Sequence, residues 1–260
     1  LAALACVACL GMAVRSFVGT IGPIGIEALD SENAMVASAL EATMGLEAYR
    51  SKVDNAVEWY GHHLVKRDTS KPLVVTLGSS STGGNNPEGF WPSVLRDEIP
   101  EVHVQTLAWG GGTTWHMRKL LDALDVQADY CILYMGHNDT LPSMPRQSLA
   151  SLERGEQVSN DAFVSPVPLP DAEANIRAMT ERCDTFVGIQ EYSVGREHEL
   201  AEYAAMMKRM PQVHYLDVAS ILAARPYSQM MVDPLHPSFT GQKLIGERVA
   251  EELRALMELP

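Results

Sequence analysis

From residue 73 onward the apolar positions of this chain switch between two spacings. Short, mostly continuous apolar runs occupy 73–77, 102–108, 130–135, 185–189 and 213–217, and Gly, Pro or polar residues bound them. Runs of that length and composition predict strands. Between them, at about 90–98, 114–125, 172–183, 197–209 and 240–257, apolar residues recur three and four apart. That spacing predicts amphipathic helices. Strands alternating with helices imply an α/β fold with a parallel sheet and crossover helices. The 140–171 stretch has prolines, serines and charges without a period, and reads as a long loop or partly helical insertion.

The region before residue 72 is different. Residues 1–14 are almost wholly apolar and run into Arg15. This is shorter than the ~20 residues of a membrane span and matches the ~7–15 of a signal-peptide apolar core. With no Met at position 1, residues 1–15 are expected to be a truncated membrane anchor or export signal. Residues 16–31 read as a linker. A helical pattern then runs from about Glu32 to Val65 and carries Met35, Leu40, Met44, Leu46, Val53, Val57 and Tyr60. The expected division is 1–15 anchor or signal, 16–71 linker and long helix, and 72–260 catalytic domain.

Composition narrows the function. At 260 residues with 46% hydrophobic content, one large domain with a substantial core is expected. A net charge of -13 argues against nucleic acid, which needs clustered Lys and Arg. The cysteines are Cys6, Cys9, Cys131 and Cys183. Cys6 and Cys9 sit in the apolar run, without a zinc-site partner. Cys131 lies in a strand-like run and is expected to be a small buried hydrophobe.

The chemistry-bearing residues follow the strand-like runs. Ligands of parallel sheets bind at the carboxyl ends of the strands. Ser80, Gly111 and Asn138 each come just after such a run, in Gly78-Ser79-Ser80-Ser81-Thr82, Gly110-Gly111-Gly112-Thr113-Thr114 and Gly136-His137-Asn138-Asp139. One rim would therefore hold all three. A serine hydroxyl needs a neighbouring base to act as a nucleophile. Asp233-Pro234-Leu235-His236 offers one, with an Asp three residues earlier to hold the second ring nitrogen. Gly111 and Asn138 supply a backbone N–H and an amide for a developing oxyanion. Taken singly, each segment has an ordinary reading: the serines and Asp139 as turn or helix-cap residues, the glycines as a flexible turn, Asp233 and His236 as a surface pair. His137 stands beside the candidate pocket, Trp109 reads as core packing, and Trp115 is open between core and pocket floor.

Together the four blocks resemble the SGNH hydrolase family, also called GDSL-type esterases and lipases. The resemblance covers about 72–257 and includes Gly241 after the Asp-x-x-His block. It implies a three-layer α/β/α sandwich of flavodoxin-like type with a mainly parallel five-stranded sheet, here preceded by N-terminal helices. It also implies Ser80 as nucleophile, His236 as general base and Asp233 as its partner. The Ser80 and Gly111 N–H groups and the Asn138 amide would form the oxyanion hole, with Gly112 as the alternative to Gly111. Two positions depart from the pattern: Ser79 stands where Asp is frequent, and Thr106 where Asn is common.

The expected activity is a metal-independent serine esterase acting through an acyl-enzyme, with no cofactor. Its substrate would be a small-molecule, lipid or glycan ester. Acyl transfer to, or deacetylation of, an envelope polysaccharide is the nearest alternative. A non-catalytic carbohydrate-binding or scaffold domain is the alternative from another class. The N-terminal segment points to an extracytoplasmic, membrane-anchored or exported protein.

Overall fold

The structure, a computed structural model, describes residues 68–83, 89–108, 110–141 and 163–259, with Asp54, 144–145 and 153–154. The expected anchor, linker and long helix over 1–67 lie outside the described residues, apart from Asp54, as does Trp109. No helix among the described residues is long and apolar enough to cross a membrane.

Five strands form one parallel sheet: β1 (Leu73–Gly78), β2 (His103–Ala108), β3 (Ala128–Met135), β6 (Cys183–Gln190) and β7 (His214–Tyr215). A separate antiparallel pair, β4 (Met144–Pro145) and β5 (Phe163–Val164), lies in the long insertion. The strand order of the large sheet is β2-β1-β3-β6-β7. The chain therefore adds β2 on one side of β1 and then crosses back to add β3 on the other. That reversal opens a crevice beyond the ends of β1 and β3, where ligands of such sheets bind.

Continuous apolar runs arise because the central strands are covered on both faces. Successive side chains alternate. Leu73, Val75, Leu77, Leu133 and Phe186 thus join one buried cluster with residues of α2 (Thr114–Leu124), α4 (Leu169–Thr180) and α5 (Glu197–Arg209). Val74, Ile132, Tyr134, Val187 and Ile189 join a second with α1 (Trp91–Glu98) and α8 (Phe239–Leu256). Two apolar clusters, one per face, make the three-layer α/β/α sandwich. Three further helices are short: α3 (His137–Thr140), α6 (Ala219–Ala223) and α7 (Tyr227–Met230).

Two expectations shift. The helix expected over 172–183 runs from Leu169 to Thr180. Proline needs no backbone donor in a first helical turn, so Pro170 starts this helix rather than preceding it. Its earlier end frees Cys183 to begin β6. The second shift concerns Cys131, which is fully buried as expected but is not a free thiol: it is disulfide-bonded to Cys183 on the neighbouring strand, with Cα atoms 5.8 Å apart. The partners are 52 residues apart in sequence, so only strand pairing reveals the bond.

Candidate active site

Ser80 sits in a turn that closes directly on the end of β1. The N–H of Thr82 donates to the Ser79 carbonyl at 3.0 Å. A Cβ on Gly78 would come within 1.9 Å of Thr82 Oγ1 and 2.9 Å of the Tyr134 carbonyl. The chain can fold back this tightly only where no side chain intervenes. Of the three adjacent serines, Ser79 and Ser81 are buried and Ser80 alone is partly exposed. Gln242 of α8 anchors the turn from behind. Its Nε2 donates to the Ser81 carbonyl at 3.1 Å, and its Oε1 accepts the Trp91 N–H at 3.0 Å.

The Asp233–His236 segment is a rigid loop built largely from its own atoms. Asp233 Oδ1 accepts the backbone N–H groups of Leu235 and His236, each at 2.8 Å. Its Oδ2 lies 2.7 Å from His236 Nδ1. Partial burial opposes ionisation of Asp233, but the bonds from the His236 ring and the two backbone groups outweigh it and hold the carboxyl below its usual range. An ionised carboxylate only accepts, so Nδ1 carries the proton and Nε2 is the acceptor. Nε2 lies 2.9 Å from Ser80 Oγ, 156 positions away in sequence. Around the loop, Val232 N–H donates to the His236 carbonyl at 2.9 Å and Val194 N–H to the Pro234 carbonyl at 2.8 Å. Gly241 lets α8 start close by, since a Cβ there would lie 2.2 Å from the Met230 carbonyl.

The other two turns come from β2 and β3, the strands on either side of β1. Gly111 adopts φ +72, the left-handed conformation that glycine takes without strain. The Asn138 Nδ2 donates to the Gly112 carbonyl at 3.0 Å, which ties the two turns together. An amide nitrogen carries two hydrogens, so one remains for a ligand. Among the described residues, the N–H groups of Ser80, Gly111 and Gly112 donate to no backbone carbonyl or side chain. Asp139, expected as a helix cap, caps a different helix from its own. It lies in α3 and accepts the Thr114 N–H at the start of α2 at 2.9 Å, along with the Tyr203 hydroxyl at 2.8 Å. Trp115 is 2% exposed and belongs to the core. Thr106, one of the departures, receives a hydroxyl hydrogen bond from Thr76 at 3.0 Å.

The other departure leads to a residue that sequence reasoning missed. The Ser79 hydroxyl donates to Oε1 of Glu191, which is fully buried at the end of β6. Glu191 Oε2 accepts the His137 N–H at 2.9 Å. Where Asp is frequent in the resembling family, Ser79 instead reaches a carboxyl that follows another strand. The rule that flagged Ser80, Gly111 and Asn138, position just after a strand, also fits Glu191. Burial pushes the Glu191 and Asp139 carboxyls up to about 7, against the hydrogen bonds they accept. Burial first, then the charges of Arg196 and His236, pushes His137 down to about 4. His137 is therefore neutral at pH 7. Its Nδ1 pairs with the Ser193 hydroxyl at 3.1 Å. Among the described residues, no group of three or more His, Cys, Asp or Glu is placed to hold a metal ion.

The profile of the GDSL-like lipase/acylhydrolase family matches residues 75–244, which span all four blocks. The chain belongs to this family. Solved structures agree on the fold. A G-D-S-L family protein from Desulfitobacterium hafniense DCB-2 is 22% identical, with TM-score 0.52, covering 70% of this chain and 99% of that one. The acetylxylan esterase Axe2 from Geobacillus stearothermophilus is 16% identical, with TM-score 0.53, covering 71% and 94%. At these identities the likeness speaks to the fold and leaves the substrate open. No curated protein sequence matches. As a member of the GDSL-like family, the protein is an esterase or acylhydrolase.

Proposed function

We propose that this esterase hydrolyses carboxylic esters of small acyl groups through an acyl-enzyme on Ser80. The observation that carries the reading is the continuous chain of contacts from Ser80 Oγ to His236 Nε2 at 2.9 Å and from Nδ1 to Asp233 at 2.7 Å. As Ser80 Oγ bonds to the ester carbon, His236 takes its proton, and the carbonyl oxygen becomes an oxyanion. The Ser80 and Gly111 N–H groups and the second Asn138 N–H are the donors for that charge, with Gly112 the alternative to Gly111. His236 then returns the proton to the departing alkoxide, the C–O bond breaks and the alcohol leaves. Water, losing a proton to the same ring, attacks the acyl carbon. Collapse of that intermediate releases the acid and restores the serine.

Acetyl groups on glycans are the substrate class favoured here, supported by the likeness to an acetylxylan esterase. An oxidising, extracytoplasmic location is part of the same proposal, because disulfides such as Cys131–Cys183 persist in such compartments. The test is turnover of p-nitrophenyl acetate and of acetylated xylo-oligosaccharide. Ser80→Ala is expected to lose several powers of ten in kcat, about 10³ or more. Undiminished turnover by Ser80→Ala would sink the assignment. Acetyl appearing on an added glycan acceptor, rather than as acetate, would turn the reading to transfer.

A further inference from the structure

We infer that Glu191 is a positioning residue for the esterase reaction, a single buried carboxylate that holds the Ser80 turn and the Asn138 turn at a set separation. The inference rests on the roles proposed for Ser80 and Asn138. Its basis is a bridge between immediate neighbours. Oε1 accepts the hydroxyl of Ser79, the residue before Ser80, and Oε2 accepts the backbone N–H of His137, the residue before Asn138. The backbone of Glu191 is itself held, since its N–H donates to the carbonyl of Met135, the last residue of β3, at 3.1 Å. The glutamate is 0% exposed.

A carboxylate is rigid and planar, so its two oxygens fix the distance between whatever they accept. Here those are Ser79 and His137, the residues immediately before the proposed nucleophile and the proposed oxyanion donor. Oxyanion stabilisation depends on donors placed in advance relative to the nucleophile. Misplacement by about 1 Å can remove ~10²-fold of rate. Burying a carboxyl is unfavourable unless it is paired, and an apolar side chain would fill the same space without that penalty. A carboxyl that bonds Ser79 and His137 rather than His236, yet joins the Ser80 and Asn138 turns, is accounted for by positioning.

Glu191→Gln keeps the volume but offers one acceptor where two donors arrive. The expected result with p-nitrophenyl acetate is a kcat lower by about 10²-fold with KM close to wild type. The rate at which a fluorophosphonate probe labels Ser80 should fall in parallel, while the protein still melts cooperatively. Ser79→Ala removes only one of the two contacts and should lower kcat by about 10-fold, again with little change in KM. Because both residues act through one contact, the double variant should be no slower than Glu191→Gln alone. A Glu191→Gln enzyme with unchanged kcat and labelling overturns the inference, as do losses that multiply in the double variant. If Glu191→Gln fails to fold, Ser79→Ala decides: unchanged kcat overturns the inference. Wild-type protein that neither labels nor turns over ester would overturn the esterase mechanism itself. A labelled wild type with an unaffected Glu191→Gln would overturn the positioning role alone.

Discussion

The two halves of the candidate active site are built in opposite ways. The Asp233–His236 half is local: one carboxylate organises its own loop through residues two and three positions ahead and holds the imidazole, and both side chains are about a third exposed. The Ser80 half is non-local. Its turn is held by Glu191 through Ser79 across 112 residues and by Gln242 through Ser81 across 161. Those supports are buried. The proposed base is thus fixed by a short stretch of sequence, whereas the proposed nucleophile is fixed by the packed sheet and α8. Damage to the first should reach chemistry alone. Damage to the second should reach chemistry and stability together.

Asp233→Asn tests the local half and should have the largest effect. The amide can keep accepting backbone N–H groups, but it can present an N–H to the ring and select the wrong tautomer. A drop in kcat on the order of 10³ to 10⁴ is expected, with unfolding free energy changed by less than about 1 kcal/mol. A large loss of stability measured by denaturant titration would break the claim that this half is self-contained. Gln242→Ala tests the other half. It strips partners from the buried Ser81 carbonyl and Trp91 N–H, so stability should fall by about 1–3 kcal/mol per unsatisfied group. Esterase activity should fall with it, by less than in Asp233→Asn. Loss of stability with full activity would show that the nucleophile turn does not depend on α8.

The smallest effect is a slope. The folded-state carboxyl of Asp139 is raised to about 7 from an ordinary 3.8, chiefly by burial. The folded protein therefore keeps a proton that the unfolded chain releases. The stabilisation from this group is fully present below pH about 4 and is lost as pH rises through about 7. Asp139→Asn removes the titration. Its unfolding free energy should thus fall less than that of wild type between pH 4.5 and 7.5, by up to one proton's worth of slope. Parallel curves for the two proteins would show that Asp139 is ionised in the folded state throughout.

Much of the fold could be read from the chain because its signals are local. The apolar run Leu73-Val74-Val75 marks a strand buried on both faces, and the three-and-four spacing over 240–257 marks the helix found at Phe239–Leu256. Each candidate block lies within a few residues, so the order Ser80, Gly111, Asn138, Asp233-x-x-His236 was visible too. What escaped was pairing between distant residues. Cys131 looked like any buried small residue until β3 and β6 were set side by side. Glu191 carried no motif, and only its place at the end of β6, against Ser79, gives it meaning.

The sequence by itself determined the alternation of strands and helices, the family resemblance and the identity of the candidate chemical groups. These depend on periodicity and short spacings, which neighbouring residues specify among themselves. Tertiary structure alone decided that Ser80, which the resemblance singles out among the three serines, lies 2.9 Å from a ring 156 positions away. It also decided that Glu191, just after β6, stands against the Ser80 turn. The reason is geometric. Strand order and register set which distant side chains share a rim, and a hydrogen bond between residues more than a hundred positions apart leaves no local pattern to read.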